Sequence, residues 1–204
     1  MIIISNYVIA AICGNFWQES TVNPGIWEGL DPTGAGYGLG QWTDNAQVHR
    51  RTDLFNWLDA RGIAHDSGVG QLQFLLDENL WLRVGAGGHV SAYNTLTEFL
   101  QSDSQNMMDL VTEFMWHWEG ISDGTEAQRY VFALTVVGDF THDDGVRDPW
   151  YTGNFFLTET QARMNSKHIK DFFSGSGELT DAEIMAIVSA ALKRRRKGGG
   201  IIVF

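Results

Sequence analysis

A chain of 204 residues, 44% hydrophobic and 12% aromatic, has room for one sizeable domain with or without an appendage, and its composition excludes global disorder. The formal net charge of −11 excludes a nucleic-acid-binding body and gives no attraction to an anionic cell wall. Five of the fourteen Lys and Arg residues crowd into Lys193 to Lys197, so the rest of the chain is more acidic still.

Met1 to Asn6 carries no basic n-region, and polar Asn6 interrupts its apolar run, so it does not read as a signal peptide. No stretch is long enough to span a bilayer. Val8, Ile12 and Phe16, flanked by Ile9 and Cys13, recur at helical spacing and predict a helix over 5–19 that ends before Asn23-Pro24-Gly25. Cys13, the single cysteine, can form no intramolecular disulfide, and its apolar neighbours mark it as a core residue rather than a nucleophile.

Residues 25–43 are glycine-rich, with Asp31-Pro32-Thr33-Gly34 as a turn signal, and predict irregular loop with a short hairpin. A second helix is expected over 45–60, with Leu54, Phe55, Trp57 and Leu58 inward and Gly62 at its end. A third is expected over 67–83 on the stripe Leu72, Leu75, Leu76 and Leu80. Gly85 to Gly88 break the chain. Helices follow over 91–101, 105–118 and 125–137, where Val131 to Val137 also allows a strand. Residues 138–154 read as loop and 158–173 as helix. Gly175-Ser176-Gly177 reads as a linker. Thr180-Asp181-Ala182-Glu183 has the pattern of a capping box for a last helix over 181–196, whose basic end suits a helix C-terminus. The apolar tail Ile201 to Phe204 follows three glycines. There is no internal repeat.

The chemistry concentrates in two segments. Asn15-Phe16-Trp17-Gln18-Glu19-Ser20 places one acid at the end of an apolar helix, where apolar neighbours favour the protonated carboxyl that a general acid needs. Gly36-Tyr37-Gly38-Leu39-Gly40-Gln41-Trp42 then brings an amide and two aromatics on a flexible turn. A protonated acid facing a sugar-holding groove is what opening a glycosidic bond requires. Most of the eight tryptophans and twelve phenylalanines must serve the core, leaving a few for such a groove. His49, His65, His89, His117, His142 and His168 are scattered without metal-ligand spacing, and His142-Asp143-Asp144 reads as an exposed loop. No phosphate-cradling loop occurs. No metal and no cofactor are expected.

Taken in order, Gly14-Asn15-x-x-x-Glu19-Ser20, Asn23-Pro24-Gly25 and Gly36 to Thr43 resemble the lysozyme domains of phage tail proteins, especially those in the tail knobs of short-tailed phages. Glu-Ser and Gly-Leu-x-Gln are more distantly similar to goose-type lysozymes and lytic transglycosylases. The close resemblance covers about residues 7–60, and a weaker one continues through Gln71 to Leu75, Trp118-Glu119 and Arg129. The family pattern has more helix before Glu-Ser, which leaves a missing upstream piece or a trimmed first lobe as the expectation.

The resemblance implies a mainly helical, lysozyme-like two-lobed fold with a small β-hairpin over residues 1–174, and a C-terminal attachment element over 175–204. It implies cleavage of the β-1,4 link between N-acetylmuramic acid and N-acetylglucosamine, with Glu19 as acid. For a base that activates water, Asp31 and Asp44 fall where goose-type enzymes carry acids, and Glu28 is a further candidate. Asp31, before a proline, also fits a turn, and Asp44 a cap for the next helix. If none acts, Glu19 serves alone, as in lytic transglycosylases. Tyr37, Gln41, Trp42 and Glu119 are candidate substrate-binding residues, with hairpin and core packing as the plain alternative. The expected partners are peptidoglycan glycan strands and, through 175–204, phage tail or other virion proteins or a membrane. The other readings are an endolysin and a structural or glycan-binding virion protein without turnover.

Overall fold

The computed structural model describes residues 4–142 and 149–174. Among these there are seven α-helices, the first of them long and buried, and a single two-stranded sheet stands beside its C-terminal end. The predicted attachment element over 175–204 lies outside the described residues.

Helix α1 (Asn6–Ser20) starts where the Ser5 hydroxyl accepts the Val8 N–H. Val8 to Phe16 are buried without a break, so this helix is apolar on all sides and forms the axis of the core. It ends on two left-handed residues, Thr21 (φ 53°) and Val22 (φ 58°), one turn before the proline. Cys13 lies inside the core, and burial pushes its thiol up to about 12, which makes it inert.

The glycine-rich segment forms β1 (Gly36–Tyr37) and β2 (Trp42–Thr43), antiparallel with Tyr37 opposite Trp42. Helix α2 (Arg50–Asp59) begins five residues later than expected, because the Asn45 side chain accepts the N–H groups of Gln47 and Val48 and closes a loop there. Helix α3 (Gly68–Glu78) stops at Asn79, whose left-handed backbone (φ 47°) turns Leu80 out of the predicted stripe. The helix expected over 91–101 shrinks to α4 (Leu96–Leu100). Ser91 and the Ala92 N–H are held by Glu113, and Thr95 caps the start.

Helix α5 (Met107–Phe114) passes into a π-helical turn, Met115–Glu119, closed by Gly120 at φ 73°. The wider winding there rotates Trp118 and Glu119 relative to an α-helical continuation. Helix α6 (Glu126–Thr141) settles the strand alternative in favour of helix and runs into the predicted loop. Helix α7 (Glu159–Ser174) matches expectation. Helices α5, α6 and α7 all pack on α1. Among the described residues no helix is long and apolar enough to cross a membrane.

Gly14 sets the spacing of α1 and α6. A Cβ there would lie 2.3 Å from the Arg129 carbonyl oxygen, which is backbone and cannot step aside. Gly14→Ala is therefore expected to cost about 2–3 kcal/mol in urea denaturation. Gly138→Ala, on α6 with open space around it, should be stabilising by up to about 1 kcal/mol. Equal effects at the two positions would refute this account of the packing.

Candidate active site

Glu19 sits one residue from the end of α1, four positions after Asn15, so both side chains project from one face of the helix. Arg129 reaches that face from α6. Its guanidinium is fully buried, donating to Asn15 Oδ1 at 3.0 Å and to Glu19 Oε1 at 2.6 Å, while its Nε–H goes to Thr125 Oγ1 at 2.9 Å. Asn15 is fixed in turn by donating to the carbonyls of Ala11 and Val111. A buried guanidinium needs such a set of acceptors, because an unpaired charge in the interior is costly. The Glu19 side chain keeps 19% exposure. Phe16 turns into the core and Trp17 stacks on Phe132 at 4.6 Å, so the carboxyl is not wrapped by these two rings as its sequence neighbours suggest.

Ser20 ties the helix end to the hairpin. Its hydroxyl donates to the Leu39 carbonyl at 2.7 Å, while the Leu39 N–H donates to Gln71 Oε1 at 2.8 Å. Gln71 is fully buried, and its amide nitrogen donates to the carbonyls of Pro24 and His65. Gly40 leaves room for the Trp118 ring, since a Cβ there would lie 2.4 Å from it. The Glu-Ser and Gly-Leu-x-Gln motifs are thus two halves of one joint.

Between this joint and the π-helical turn lies an open cleft of about 740 Å³, which Glu19, Glu28, Gln41, Arg50, Glu78 and Glu119 line with Trp118 and Leu82. Of the eight residues singled out in the sequence, four meet here: Glu19, Glu28, Gln41 and Glu119. Glu28 is exposed and accepts the Gly36 N–H at 2.9 Å. Gln41 spends its amide nitrogen on the Gly38 carbonyl at 3.0 Å.

The other four lie off the lining. Asp31 is exposed and bound to its own turn, and the Thr33 N–H and hydroxyl hold its carboxyl below the usual range. Asp44 joins the Thr52 N–H and hydroxyl and the Arg51 guanidinium. Slight burial pushes its carboxyl up, but those partners together hold it below the usual range. Tyr37 packs between Trp27 and Phe55, and burial, then the charge of Asp66, pushes its phenol up to about 12. Trp42 is fully buried edge-on against Trp118.

Sequence reasoning missed the Arg50–Glu78 pair, bidentate at 2.8 and 3.0 Å, with Arg50 lying over the Trp118 ring at 4.7 Å. No local spacing joins residues from two helices. Glu119 carries the environment expected of an acid. Its Oε1 is buried without a hydrogen-bond partner, although the residue as a whole keeps partial exposure. Burial, then the charge of Glu19, pushes its carboxyl well above the usual range, against the pull of Arg129 and Arg50. Among the described residues no three metal-ligating side chains converge.

A helix-end carboxylate clamped by a buried guanidinium, beside a short hairpin and an open cleft, is a lysozyme-like arrangement. The sequence pattern of the phage tail lysozymes matches residues 4–140, and the chain belongs to that family. Over 142 residues it is 42% identical to morphogenesis protein 1 of Bacillus phage B103. That stretch is 64% of this chain and 35% of the relative, so it spans about a third of the relative's length.

Two outcomes follow from the buried charges. Arg129→Met leaves Glu19 and Asn15 without their donor and is expected to cost about 3–5 kcal/mol, read from the denaturation midpoint. Glu119 binds its proton more tightly folded than unfolded, so its contribution to stability falls as pH rises above the unfolded carboxyl value of 4.5 and levels off above the folded one. Glu119→Gln should therefore raise the melting temperature at pH 8 but not at pH 4, and a pH-independent shift would contradict the assignment.

Proposed function

We propose that this chain is a virion-borne peptidoglycan-degrading enzyme, cutting the β-1,4 link between N-acetylmuramic acid and N-acetylglucosamine for local wall penetration during genome delivery. The observation that carries the reading is Glu19: an acid fixed by a buried guanidinium, facing a cleft wide enough for a glycan strand, in a phage tail lysozyme chain. Glu19 gives its proton to the glycosidic oxygen as the bond to the leaving sugar breaks. Glu119, which burial and the neighbouring Glu19 make hold its proton more tightly, lines the same cleft and offers its O–H to a hydroxyl or acetamido oxygen of the sugar. Gln41 and Trp118 border the same space.

Of the three candidate water-activating acids, Glu28 is the one that lines the cleft, whereas Asp31 and Asp44 are spent on their own turns. The arrangement supports hydrolysis with Glu28 as base over attack by the sugar's own 6-hydroxyl. The relative's name speaks of morphogenesis, which favours as a second reading a structural virion role without turnover.

Mass spectrometry of purified peptidoglycan treated with the protein should show reducing muramic ends. Anhydro-muramic ends would assign both proton steps to Glu19, and uncut glycan would favour the structural role. Glu19→Gln, which keeps an oxygen for Arg129, should lower the rate by about 10²–10⁴-fold with little change in melting temperature. Wall lysis at the parental rate would rule out Glu19 as the acid.

A further inference from the structure

The family match ends at residue 140, yet one residue that lines the cleft, Phe156, comes from later chain. Residues 149–157 run without regular structure from Pro149 toward α7, and side chains of the N-terminal half hold them down. Trp150 lies on Gly68, where a Cβ would come within 2.6 Å of the ring, and stacks on His168 at 5.0 Å. Asn165 grips both backbone groups of Tyr151, at 2.9 and 2.8 Å, and donates as well to the Val22 carbonyl.

The grip tightens toward Phe156. Asn23, fully buried, donates to the carbonyls of Gly153 and Phe155 at 2.8 and 2.6 Å. Asn154 accepts the Trp27 N–H at 3.0 Å and donates to the Leu30 carbonyl at 2.9 Å, closing the strap over the segment that carries Glu28. The Leu157 N–H donates to Thr21 Oγ1 at 2.9 Å, two residues from Glu19, and the Leu157 side chain is buried. Phe156 stands between these last two anchors. Its backbone neighbours are fixed on both sides, its side chain is 63% exposed, and it lines the same cleft as Glu19 and Glu28.

We propose that Phe156 is a sugar-binding platform of the cleft, stacking on the C–H face of a pyranose ring that flanks the bond cut at Glu19. The proposal rests on the glycan-cleaving reading of that site. A pyranose turns its axial C–H bonds to one side and its hydroxyls to the rim, so an aromatic face removes apolar area from water and leaves the hydroxyls wet. The strap fixes the backbone on both sides of Phe156 before substrate arrives, so only the side chain remains to be ordered on binding. The subsite comes from outside the family-matched segment.

The test compares the parent with Phe156→Ala and Phe156→Tyr on glycan strands stripped of their stem peptides by an amidase. Affinity is read by calorimetry, and kcat and KM by release of new ends. Phe156→Ala should weaken binding and raise KM about tenfold, with kcat near parental, and Phe156→Tyr should restore both. So exposed a side chain should leave the melting temperature unchanged on truncation. Unchanged affinity and KM in Phe156→Ala would overturn the platform, as would a loss seen only on strands that still carry stem peptides. A parent that binds stripped strands without cutting them would sink the catalytic reading while the affinity ratio still decides the platform. A parent that neither binds nor cuts would overturn both.

Discussion

The structure depends on one buried cation. Arg129 has no solvent to share its charge, so the fold must supply acceptors: Thr125 and Asp123 stand close by in sequence, and the others come from a helix more than a hundred positions earlier. Asn15 and Glu19 are those acceptors because i and i+4 residues share a helix face. The same demand fixes how closely α1 and α6 approach, which is why Gly14 stands next to Asn15 and directly beneath the Arg129 backbone. Core packing and the placement of the acid are therefore the same problem. A shift of α6 that relaxed the core would also move the carboxylate.

From that fixed point the cleft is assembled by small polar links rather than by apolar contact. Ser20 joins the helix end to the hairpin turn, and Gln71 joins the turn to the next loop. The π-helical turn brings Trp118 and Glu119 in from the opposite side. Each link is buried and satisfied, as an interior of low dielectric requires. The exceptions gather on the π-helical turn, where Trp116 Nε1, His117 Nε2, Trp118 Nε1 and Glu119 Oε1 are buried without a partner, and of these residues Trp118 and Glu119 line the cleft.

Much of this was legible before the structure. The apolar period of α1, the hairpin around Gly38 and the position of Glu19 follow from local pattern. Helix α6 was expected too, but the run Val131 to Val137 left a strand open until the structure closed it. What was not legible depends on contacts between distant segments. Asp31 and Asp44 have the residue type and position of a catalytic base, but Thr33 and Thr52 sit near enough in sequence to capture them first. Tyr37 and Trp42 look like sugar platforms by composition, yet the two-residue strands bury both rings against Phe55 and Trp118. Residues 91–95 carry an acceptable helix pattern and lose it to Glu113, a tertiary partner no window reveals. Arg50–Glu78 and the strap over 149–157 belong to the same class of information.

The separation in sequence between Glu19 and its clamp bears on when the site comes into being. During synthesis α1 leaves the ribosome early, but the guanidinium that orients its carboxylate is 110 positions behind, and the anchors of Phe156 are later still. Closing so long a loop must precede the contacts that reward it, which delays the step relative to local helix formation. A nascent chain that has not yet reached Arg129 holds the acid without its orienting cation, so vectorial synthesis itself acts as a timer on the assembly of the site.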